Sequence, residues 1–478
     1  MESLTPNREI SPPHGPRGDH PGQGVASRSR RSRAIQPAST TPTSPAPTPL
    51  ERVAAWPRAE PLAALISSHP RSAGPQLLAR PANVRLLAAD DLDPADPLAP
   101  LRHESARSGG GTDRGTRLFA AAYGLGSWLE PAAAAAAQPN RPGRDALALA
   151  HAPDLWRLPS PGAAWVRAGD PPAFEPGVER PGLLTPAPPE SETGRDGFLE
   201  AVRAAVRAIH AGDVFQVNLA HRLTLPMRGH PRDLFAALVR AARPAHGAYL
   251  ELPDGRALCS VSPELFLRYR ARTRRLTTEP MKGTRPLRPG AEDAARELFD
   301  SEKDRAELAM IVDLMRNDLG RVARFGSVRV DEPRRVEAHG DAVLQASARV
   351  SCELRAGLGF ADALAAAFPP GSVTGAPKIR AMQLIDQLEP VERGFYCGSI
   401  GRVEPGGDAE CSVAIRTAIV SPPDAAGVRT VSYHVGCGIV ADSDPEAEWR
   451  ESLDKAEVLR RVVRAHGLGA ASERGTPA

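Results

Sequence analysis

Apolar side chains recur at helical spacing near the middle of the chain. One predicted helical face consists of Phe198, Leu199, Val202, Val206 and Ile209. Gly212 would end this helix, and residues 214–219 read as a strand. Strand-like and helix-like segments then mix up to about residue 465 without strict βαβ alternation. This pattern predicts an α/β fold of the α+β or layered type rather than a doubly wound sheet.

The same patterns divide the chain into four parts. Residues 1–50 are rich in Pro, Ser, Thr and Arg, so they bury too little apolar surface to offset ordering, and we predict a disordered tail. Residues 51–190 form an N-terminal region, residues 195–465 carry the main domain, and residues 466–478 form a flexible tail. An arginine cluster at 27–33 raises the alternative of a nucleic-acid-binding tail, which predicts salt-sensitive DNA retention that is lost on deletion of 1–50.

Composition narrows the compartment and the partners. The 478 residues are 41% hydrophobic and 24% charged with a formal net charge of +3, which is ordinary for a globular protein and gives no reason to expect nucleic acid. No apolar run approaches the roughly 18 residues of a membrane span. The five cysteines are widely spaced and form no CxxC pair, so we predict a reduced, cytoplasmic protein without nucleic-acid or membrane partners.

Lysine is rare in this arginine-rich chain. Only Lys282, Lys303, Lys378 and Lys455 occur among 60 basic residues. A lysine retained where arginine would supply the same charge is a candidate for chemistry that needs a neutral amine. Chance survival at the surface is the alternative for any one of them.

Two predicted helices carry paired carboxylates. The first spans about 302–319, with Ser301 as its cap and Gly320 as its stop, and it places Asp304 and Glu307 on one face. The second begins at Pro445 after the cap Asp444, and its shared face carries Glu448, Glu451 and Lys455. Together the carboxylates could hold Mg²⁺. Taken separately, each such helix is more often a solvated acidic face, and the sequence does not show that the two faces meet.

Three glycine-containing turns and one arginine add candidate anion contacts. The turns are 371–378, which includes Thr374 and Lys378, then 436–438, and 281–285. Backbone N–H groups of such turns can face an anion, although an ordinary loop remains the alternative. Arg416 lies in an apolar, strand-like stretch, so it must pair with a carboxylate or bind an anionic ligand. The residues alone therefore indicate a site for a small polyanion with a divalent cation.

At these motifs the sequence resembles the chorismate-binding enzymes, which include anthranilate, aminodeoxychorismate, isochorismate and salicylate synthases. The matching segments are 212–219, 262–264, 303–307, 310–320, 374–378, 396–398 and 438–446. The resemblance implies the anthranilate synthase-like layered fold, in which β-sheets pack face to face and are flanked by helices. It also implies Mg²⁺ as the cofactor and chorismate as the substrate.

The resemblance assigns roles to the candidate residues. It implies Glu307 and Glu448 as Mg²⁺ ligands, with Glu451 and Asp304 nearby through water, and Glu264 as the general acid for the C4 hydroxyl. The substrate-binding residues that it implies are Arg416 and Tyr396 for the enolpyruvyl carboxylate, Lys455, Gly436, Cys437 and Gly438 for the ring carboxylate, and Thr374, Gln216 and Gln345 elsewhere in the pocket.

Two positions select a branch of the family. Water-using relatives carry a lysine base where this chain has Gln216, and anthranilate synthases carry alanine where it has Lys282. The resemblance therefore implies an aminodeoxychorismate synthase, in which Lys282 attacks C2 and ammonia later displaces it, for 4-aminobenzoate and folate-type biosynthesis. Gln345 stands where the family usually has histidine, so a proton-transfer role at that position is lost.

The implied partner is a separate glutaminase subunit that supplies ammonia from glutamine. Anthranilate synthase component I is the first alternative function. A non-catalytic chorismate-binding protein is the second, and the intact acidic residues and Lys282 argue against it.

Overall fold

A computed structural model describes residues 48–68, 75–101, 115–133, 145–160, 163–175, 187–286, 292–339 and 343–467. Most of the predicted tails, including the arginine cluster at 27–33, lies outside these residues. Pro49 and Leu50, which the sequence placed in the first tail, instead belong to a helix whose cap is Thr48. His466 ends the last helix.

The described residues form ten α-helices. They are α1 (Pro49–Ala54), α2 (Leu125–Leu129), α3 (Gly194–His210), α4 (Pro231–Ala242), α5 (Glu292–Asp300), α6 (Glu302–Gly320), α7 (Phe360–Ala367), α8 (Lys378–Leu388), α9 (Pro445–Asp454) and α10 (Glu457–His466).

The described residues also form nineteen strands. They are β1 (Ala63–Ile66), β2 (Gln76–Ala88), β3 (Thr116–Ala121), β4 (Asp145–Leu158), β5 (Val166–Ala168), β6 (Glu190–Ser191), β7 (Gln216–Met227), β8 (His246–Glu251), β9 (Ala257–Ser262), β10 (Leu265–Arg270), β11 (Arg275–Glu279), β12 (Met281–Pro286), β13 (Arg329–His339), β14 (Val343–Glu353), β15 (Gly375–Ala376), β16 (Ser399–Val403), β17 (Ala409–Val413), β18 (Thr417–Val420) and β19 (Arg429–Ile439).

The strands join in one antiparallel ladder. It runs from β7 through β19, β18, β9, β8, β1, β2, β4, β3, β16, β17, β10 and β11 to β14, which also pairs with β12 and β13. Strand β3 pairs with β16 and β1 pairs with β8, so strands from the N-terminal region complete the sheets of the main domain.

Apolar side chains from distant parts of this ladder meet in one core. Leu77 of β2, Leu118 of β3 and Leu250 of β8 are buried there together with Ile400 of β16. Helices cover the outer faces: α5 and α6 pack over β14, α4 over β9, and α3 and α8 over β7, while α7 packs on α6 and α10 on α4. The predicted layered fold of facing sheets with flanking helices is therefore confirmed.

The predicted helix beginnings are also confirmed. The Ser301 hydroxyl accepts from the N–H of Asp304 at the start of α6, and Asp444 accepts from the N–H of Ala447 at the start of α9. Gly320 was expected to follow the first of these helices, but it is the last residue of α6.

Two further features concern membrane-spanning helices and cysteine pairing. Within the described residues, no helix is both long and apolar enough to cross a membrane. All five cysteines lie in the described part of the chain, where they are buried and form no disulfide.

Candidate active site

Glu264 lies in the short connection between β9 and β10, where only 4% of its surface is exposed. Its Oε1 accepts a 2.5 Å hydrogen bond from the hydroxyl of Ser372. Burial raises the pKa of Glu264 to about 7, against opposing effects of the Ser372 hydrogen bond and the charge of Lys282. Near neutral pH this carboxyl group can therefore hold a proton and donate it.

Lys282 lies on β12. The charge of Lys282 lowers the pKa of Glu264, and the charge of Glu264 raises the pKa of Lys282. Burial lowers the pKa of Lys282, the charge of Lys455 lowers it further, and the charge of Glu307 opposes both. Among the described residues, the Lys282 amine donates no hydrogen bond. Glu279 is not its partner, because Arg349 binds that carboxylate at 2.7 Å. Burial therefore disfavours the charged form of this amine, and the amine is not committed to a hydrogen bond in the described part of the chain.

A glycine at the end of β19 leaves space for the Lys282 side chain. A Cβ placed on Gly438 would lie 3.2 Å from Nζ of Lys282 and 2.2 Å from Nε2 of Gln216, so only glycine leaves room for both side chains. Gly436 is needed for another reason, because its Cβ would lie 2.2 Å from the carbonyl oxygen of Leu219 on the paired strand β7. Of the two glycines, Gly438 faces the candidate site.

The Gln216 side chain is fully buried at the start of β7. Neither Nε2 nor Oε1 of its amide has a hydrogen-bond partner among the described residues. Since buried amides are nearly always hydrogen-bonded, this one is available to a ligand.

Helix α6 contributes the first carboxylates. Burial raises the pKa of Glu307, against the positive charges of Lys282 and Lys303. Asp304, one turn earlier, binds Arg285 of β12 at 2.8 Å. Asp304 therefore ties α6 to the strand that carries Lys282.

Helix α9 contributes the second set. Oε1 of Glu448 accepts a 2.6 Å hydrogen bond from the Ser443 hydroxyl, whereas Oε2 is buried without a partner among the described residues. Glu451 pairs with Lys455 at 2.9 Å, and the charge of Lys455 lowers the pKa of Glu451. Nζ of Lys455 also donates to the carbonyl oxygen of Gly436 at 2.8 Å. This face of α9 is thus bound to β19.

The two helices face one another across the site. Glu451 of α9 raises the pKa of Glu307 of α6, and the charge of Lys282 acts on both carboxylates. Within the described ranges, no three His, Cys, Asp or Glu side chains already form a metal cage. The orphaned Oε2 of Glu448 and the half-buried Glu307 nevertheless fit Mg²⁺, which commonly takes one or two carboxylates plus waters and substrate oxygens.

Arg416 lies in the bend between β17 and β18, not within a strand as its apolar neighbours suggested. Its φ of 51° is left-handed, which is unusual for a side chain of this size. Burial lowers the pKa of its guanidinium, and in the described part of the chain the side chain has no hydrogen bond or ion pair. The sequence left a carboxylate partner and an anionic ligand open; no carboxylate partner is found here.

The remaining candidate residues are buried, and two of them form hydrogen bonds with the backbone. Tyr396 is buried and stacks on His434 with ring centroids 5.1 Å apart, and Gln345 is buried on β14 in the strand pair with β12. Cys437 is buried and its thiol donates to the carbonyl oxygen of Glu448 at 3.5 Å. Thr374 donates its hydroxyl proton to the carbonyl oxygen of Pro370 at 3.1 Å, so that proton faces the backbone rather than a ligand.

The turn at 371–378 has a different role from the one expected for its lysine. Lys378 is buried and binds Asp318 of α6 at 2.6 Å and the carbonyl oxygen of Ala367 at 2.7 Å. It is therefore a structural cation and does not offer its charge to an anion. The turn instead supplies Ser372, the hydrogen-bond donor to Glu264, which the sequence did not single out.

Comparison with known proteins identifies the family. The sequence profile of a family described as chorismate binding enzyme matches residues 164–461. The chain is 46% identical over 279 residues to anthranilate synthase component 1 3 of Haloarcula marismortui, covering 57% of this chain and 53% of that protein. It is 45% identical over 264 residues to aminodeoxychorismate synthase component 1 of Klebsiella aerogenes, covering 55% and 56%. The matches span about half the length of these relatives.

Solved structures agree in fold. Anthranilate synthase component I of Streptococcus pneumoniae superposes with a TM-score of 0.68 at 25% identity, covering 80% of this chain and 92% of that one. The menaquinone-specific isochorismate synthase MenF of Escherichia coli superposes with a TM-score of 0.67 at 20% identity, covering 87% and 92%, and that likeness concerns the fold alone. Since the family profile covers more than half of the sequence, the chain belongs to the chorismate-binding enzymes.

Proposed function

We propose that this enzyme is an aminodeoxychorismate synthase, which converts chorismate and ammonia to 4-amino-4-deoxychorismate. The observation that carries the proposal is the half-buried, uncommitted amine of Lys282 in the electrostatic environment of a carboxyl group, Glu264, whose pKa is about 7. A separate glutaminase would supply the ammonia from glutamine in the cytoplasm. A lyase acting next would yield 4-aminobenzoate for a folate-type pathway.

The proposed binding mode places each carboxylate of the substrate against a cation. Arg416, whose guanidinium has no protein partner among the described residues, would bind the enolpyruvyl carboxylate together with Tyr396. Lys455 and the backbone at 436–438 would face the ring carboxylate. Glu307 and Glu448 would hold Mg²⁺, with Glu451 and Asp304 nearby through water. When bound, the ion would neutralise and fix the ring carboxylate.

The proposed first step forms one bond and breaks another. Nζ of Lys282 attacks C2, both ring double bonds shift, and the C4–O bond breaks as Glu264 protonates the departing hydroxyl to give water. The proton lost from the attacking nitrogen returns to the Glu264 carboxylate. In the second step, ammonia adds at C4, the double bonds shift back, and the C2–N bond breaks as the Lys282 nitrogen takes a proton from Glu264. The nitrogen added at C4 then loses a proton, which restores the protonated Glu264.

Burial prepares both reacting groups through the same physical effect. The first step needs a neutral amine and a protonated acid, which together hold one proton. The ion pair of an ammonium and a carboxylate also holds one proton, so a single proton transfer interconverts the two states. Burial disfavours the charged form of each group, and it therefore shifts this balance toward the reactive state.

Anthranilate synthase is the second candidate function. The observation in its favour is that close relatives carry both names, at 46% and 45% identity. The amine at Lys282 favours the first candidate, because the resemblance gives anthranilate synthases alanine there. Gln216 disfavours the isochorismate branch, because a neutral amide cannot activate water.

Product analysis tests the proposal. The purified chain would be incubated with chorismate, Mg²⁺ and ammonium, and the products would be separated by mass and by conversion with an aminodeoxychorismate lyase. We expect 4-amino-4-deoxychorismate from the wild type and none from Lys282→Ala. Anthranilate from both proteins would overturn the proposal.

Two further variants sharpen this assay. Lys282→Arg keeps the positive charge but removes the nucleophilic amine, so we expect it to be as inactive as Lys282→Ala. Lys303→Ala removes an exposed lysine of the same helix that carries Glu307, and we expect its product to be the same as that of the wild type.

A further inference from the structure

His221 of β7 connects strand β6 to helix α9 through two serine side chains. Its Nδ1 lies 2.9 Å from the hydroxyl oxygen of Ser191 on β6, and its Nε2 lies 2.9 Å from the hydroxyl oxygen of Ser452 on α9. The imidazole is 1% exposed. Its ring stacks on Trp449 of α9 with centroids 4.7 Å apart, and Phe198 of α3 meets it edge-on at 4.9 Å.

The hydrogen bonds define the tautomer of His221. The single hydroxyl proton of Ser452 goes to the carbonyl oxygen of Trp449, at 2.7 Å. Ser452 can therefore only accept from the ring, so Nε2 carries the proton and Nδ1 accepts from Ser191. Burial lowers the pKa of His221 to about 4, which agrees with a neutral ring. The chain of donors then runs in one direction, from Ser191 through His221 and Ser452 to the backbone of α9.

The contact lies beside the acidic face of α9. Ser452 follows Glu448 by four residues and Glu451 by one, and it is fully buried where those carboxylates reach toward the site. Aromatic and apolar side chains surround this contact, and they alone would let a helix rotate or slide. Lys455 and Cys437 hold α9 to β19 on its other side, so the Ser452 contact adds a restraint toward β7. A directional hydrogen bond restricts both movements.

We infer that His221 is a positioning residue, which fixes the rotation of α9 against β7 and thereby places Glu448 and Glu451 for a divalent cation. This inference rests on the proposed role of α9 in binding Mg²⁺. His221 touches neither substrate nor metal, and it acts through Ser452. Supporting groups of this kind typically change metal affinity by about 10- to 100-fold when they are removed.

Mn²⁺ binding tests the inference directly. The probe is Mn²⁺ titrated into the full chain with chorismate present, and the EPR signal of the free ion reports binding without any turnover. We expect His221→Leu, which keeps the apolar volume but loses both hydrogen bonds, to weaken the affinity about tenfold. Ser452→Ala breaks the same contact from the helix side and should give a similar loss.

Rescue and control variants separate positioning from folding. His221→Gln offers an amide N–H to Ser452 and a carbonyl oxygen to Ser191, so we expect affinity within about twofold of the wild type. His246→Leu removes another buried imidazole, 3.9 Å from Glu410 on β17, and should lower the unfolding temperature without changing Mn²⁺ affinity.

Three outcomes have distinct meanings. Unchanged affinity in His221→Leu and Ser452→Ala would overturn the inference and leave the proposed reaction standing. A tenfold loss in an enzyme whose product is anthranilate would overturn the proposed reaction and support the inference. No Mn²⁺ binding by the wild type would overturn both the inference and the proposed metal role.

Discussion

At the scale of single residues, the proposed chemistry depends on two groups whose charged forms burial disfavours. Lys282 lies on β12 and Glu264 in the connection between β9 and β10, yet each changes the pKa of the other. Ser372 restrains the acid by one hydrogen bond, and Gly438 leaves space beside the amine. The reactivity proposed for Lys282 would therefore come from its surroundings as well as from its primary amine.

Glu264 should make the protein less stable at alkaline pH. Its pKa is raised from 4.5 to about 7 on folding, so its contribution is complete below about pH 4.5 and is lost as the pH rises through about 7. Glu264→Gln stays neutral throughout. Its free energy of unfolding, relative to the wild type, should therefore rise by roughly 3 kcal/mol between about pH 5 and about pH 9.

Urea unfolding of both proteins at several pH values measures this difference, and effects of other titrating groups largely cancel between the two proteins. A difference that stays constant across the range would show that the Glu264 carboxyl is not desolvated.

The sequence proposed site residues but gave little about their surroundings. Motif resemblance pointed to Lys282, Glu264 and Glu448, because their types and spacings are distinctive. It did not single out Ser372, since one serine in a turn has no sequence signal that separates it from its neighbours. Arg416 was expected in a strand, and only the backbone reveals its left-handed bend.

At the scale of elements, α6 and α9 carry the acidic residues, and tertiary contacts bring them together. Caps and periodicity predicted where both helices begin, because those signals lie within a few residues. That their acidic faces meet depends on strands far away in the sequence, so the sequence pattern left it open. In the structure, the charge of Glu451 raises the pKa of Glu307, which indicates that the two acidic faces lie near each other.

The link between α6 and α8 is expected to be a major contribution to stability. Lys378 and Asp318 form a pair with side chains only 8% and 4% exposed. Lys378→Met would leave a buried carboxylate without its cation, and we expect a loss of about 3–5 kcal/mol in the free energy of unfolding. Chemical denaturation measures this loss.

The matched control is an exposed pair on α3. Arg203 and Glu200 lie 3.5 Å apart with side chains 52% and 62% exposed, so Arg203→Met should change stability by less than about 1 kcal/mol. If Lys378→Met is no more damaging than this control, the buried pair does not hold the two helices together.

At the scale of the whole molecule, one antiparallel ladder connects the N-terminal strands to the strands that carry the site. Strand β3 is paired with β16, which is paired with β17, and β17 leads into the bend at Arg416. Period-two patterns of apolar residues predict such strands. The order of the strands in the sheet depends on which hydrophobic faces meet, and a local sequence pattern does not contain this information. The layered architecture was predicted through the family resemblance.

The central claim is that Lys282 forms a covalent bond to the substrate. The most direct measurement is the mass of the protein after incubation with chorismate and Mg²⁺ without ammonia, followed by an acid quench and peptide mapping. We predict a mass gain of one chorismate less one water on the peptide that contains Lys282, absent in Lys282→Arg and removed when ammonium is added before the quench. Formation of 4-amino-4-deoxychorismate by an enzyme that never carries this mass on Lys282 would contradict the account.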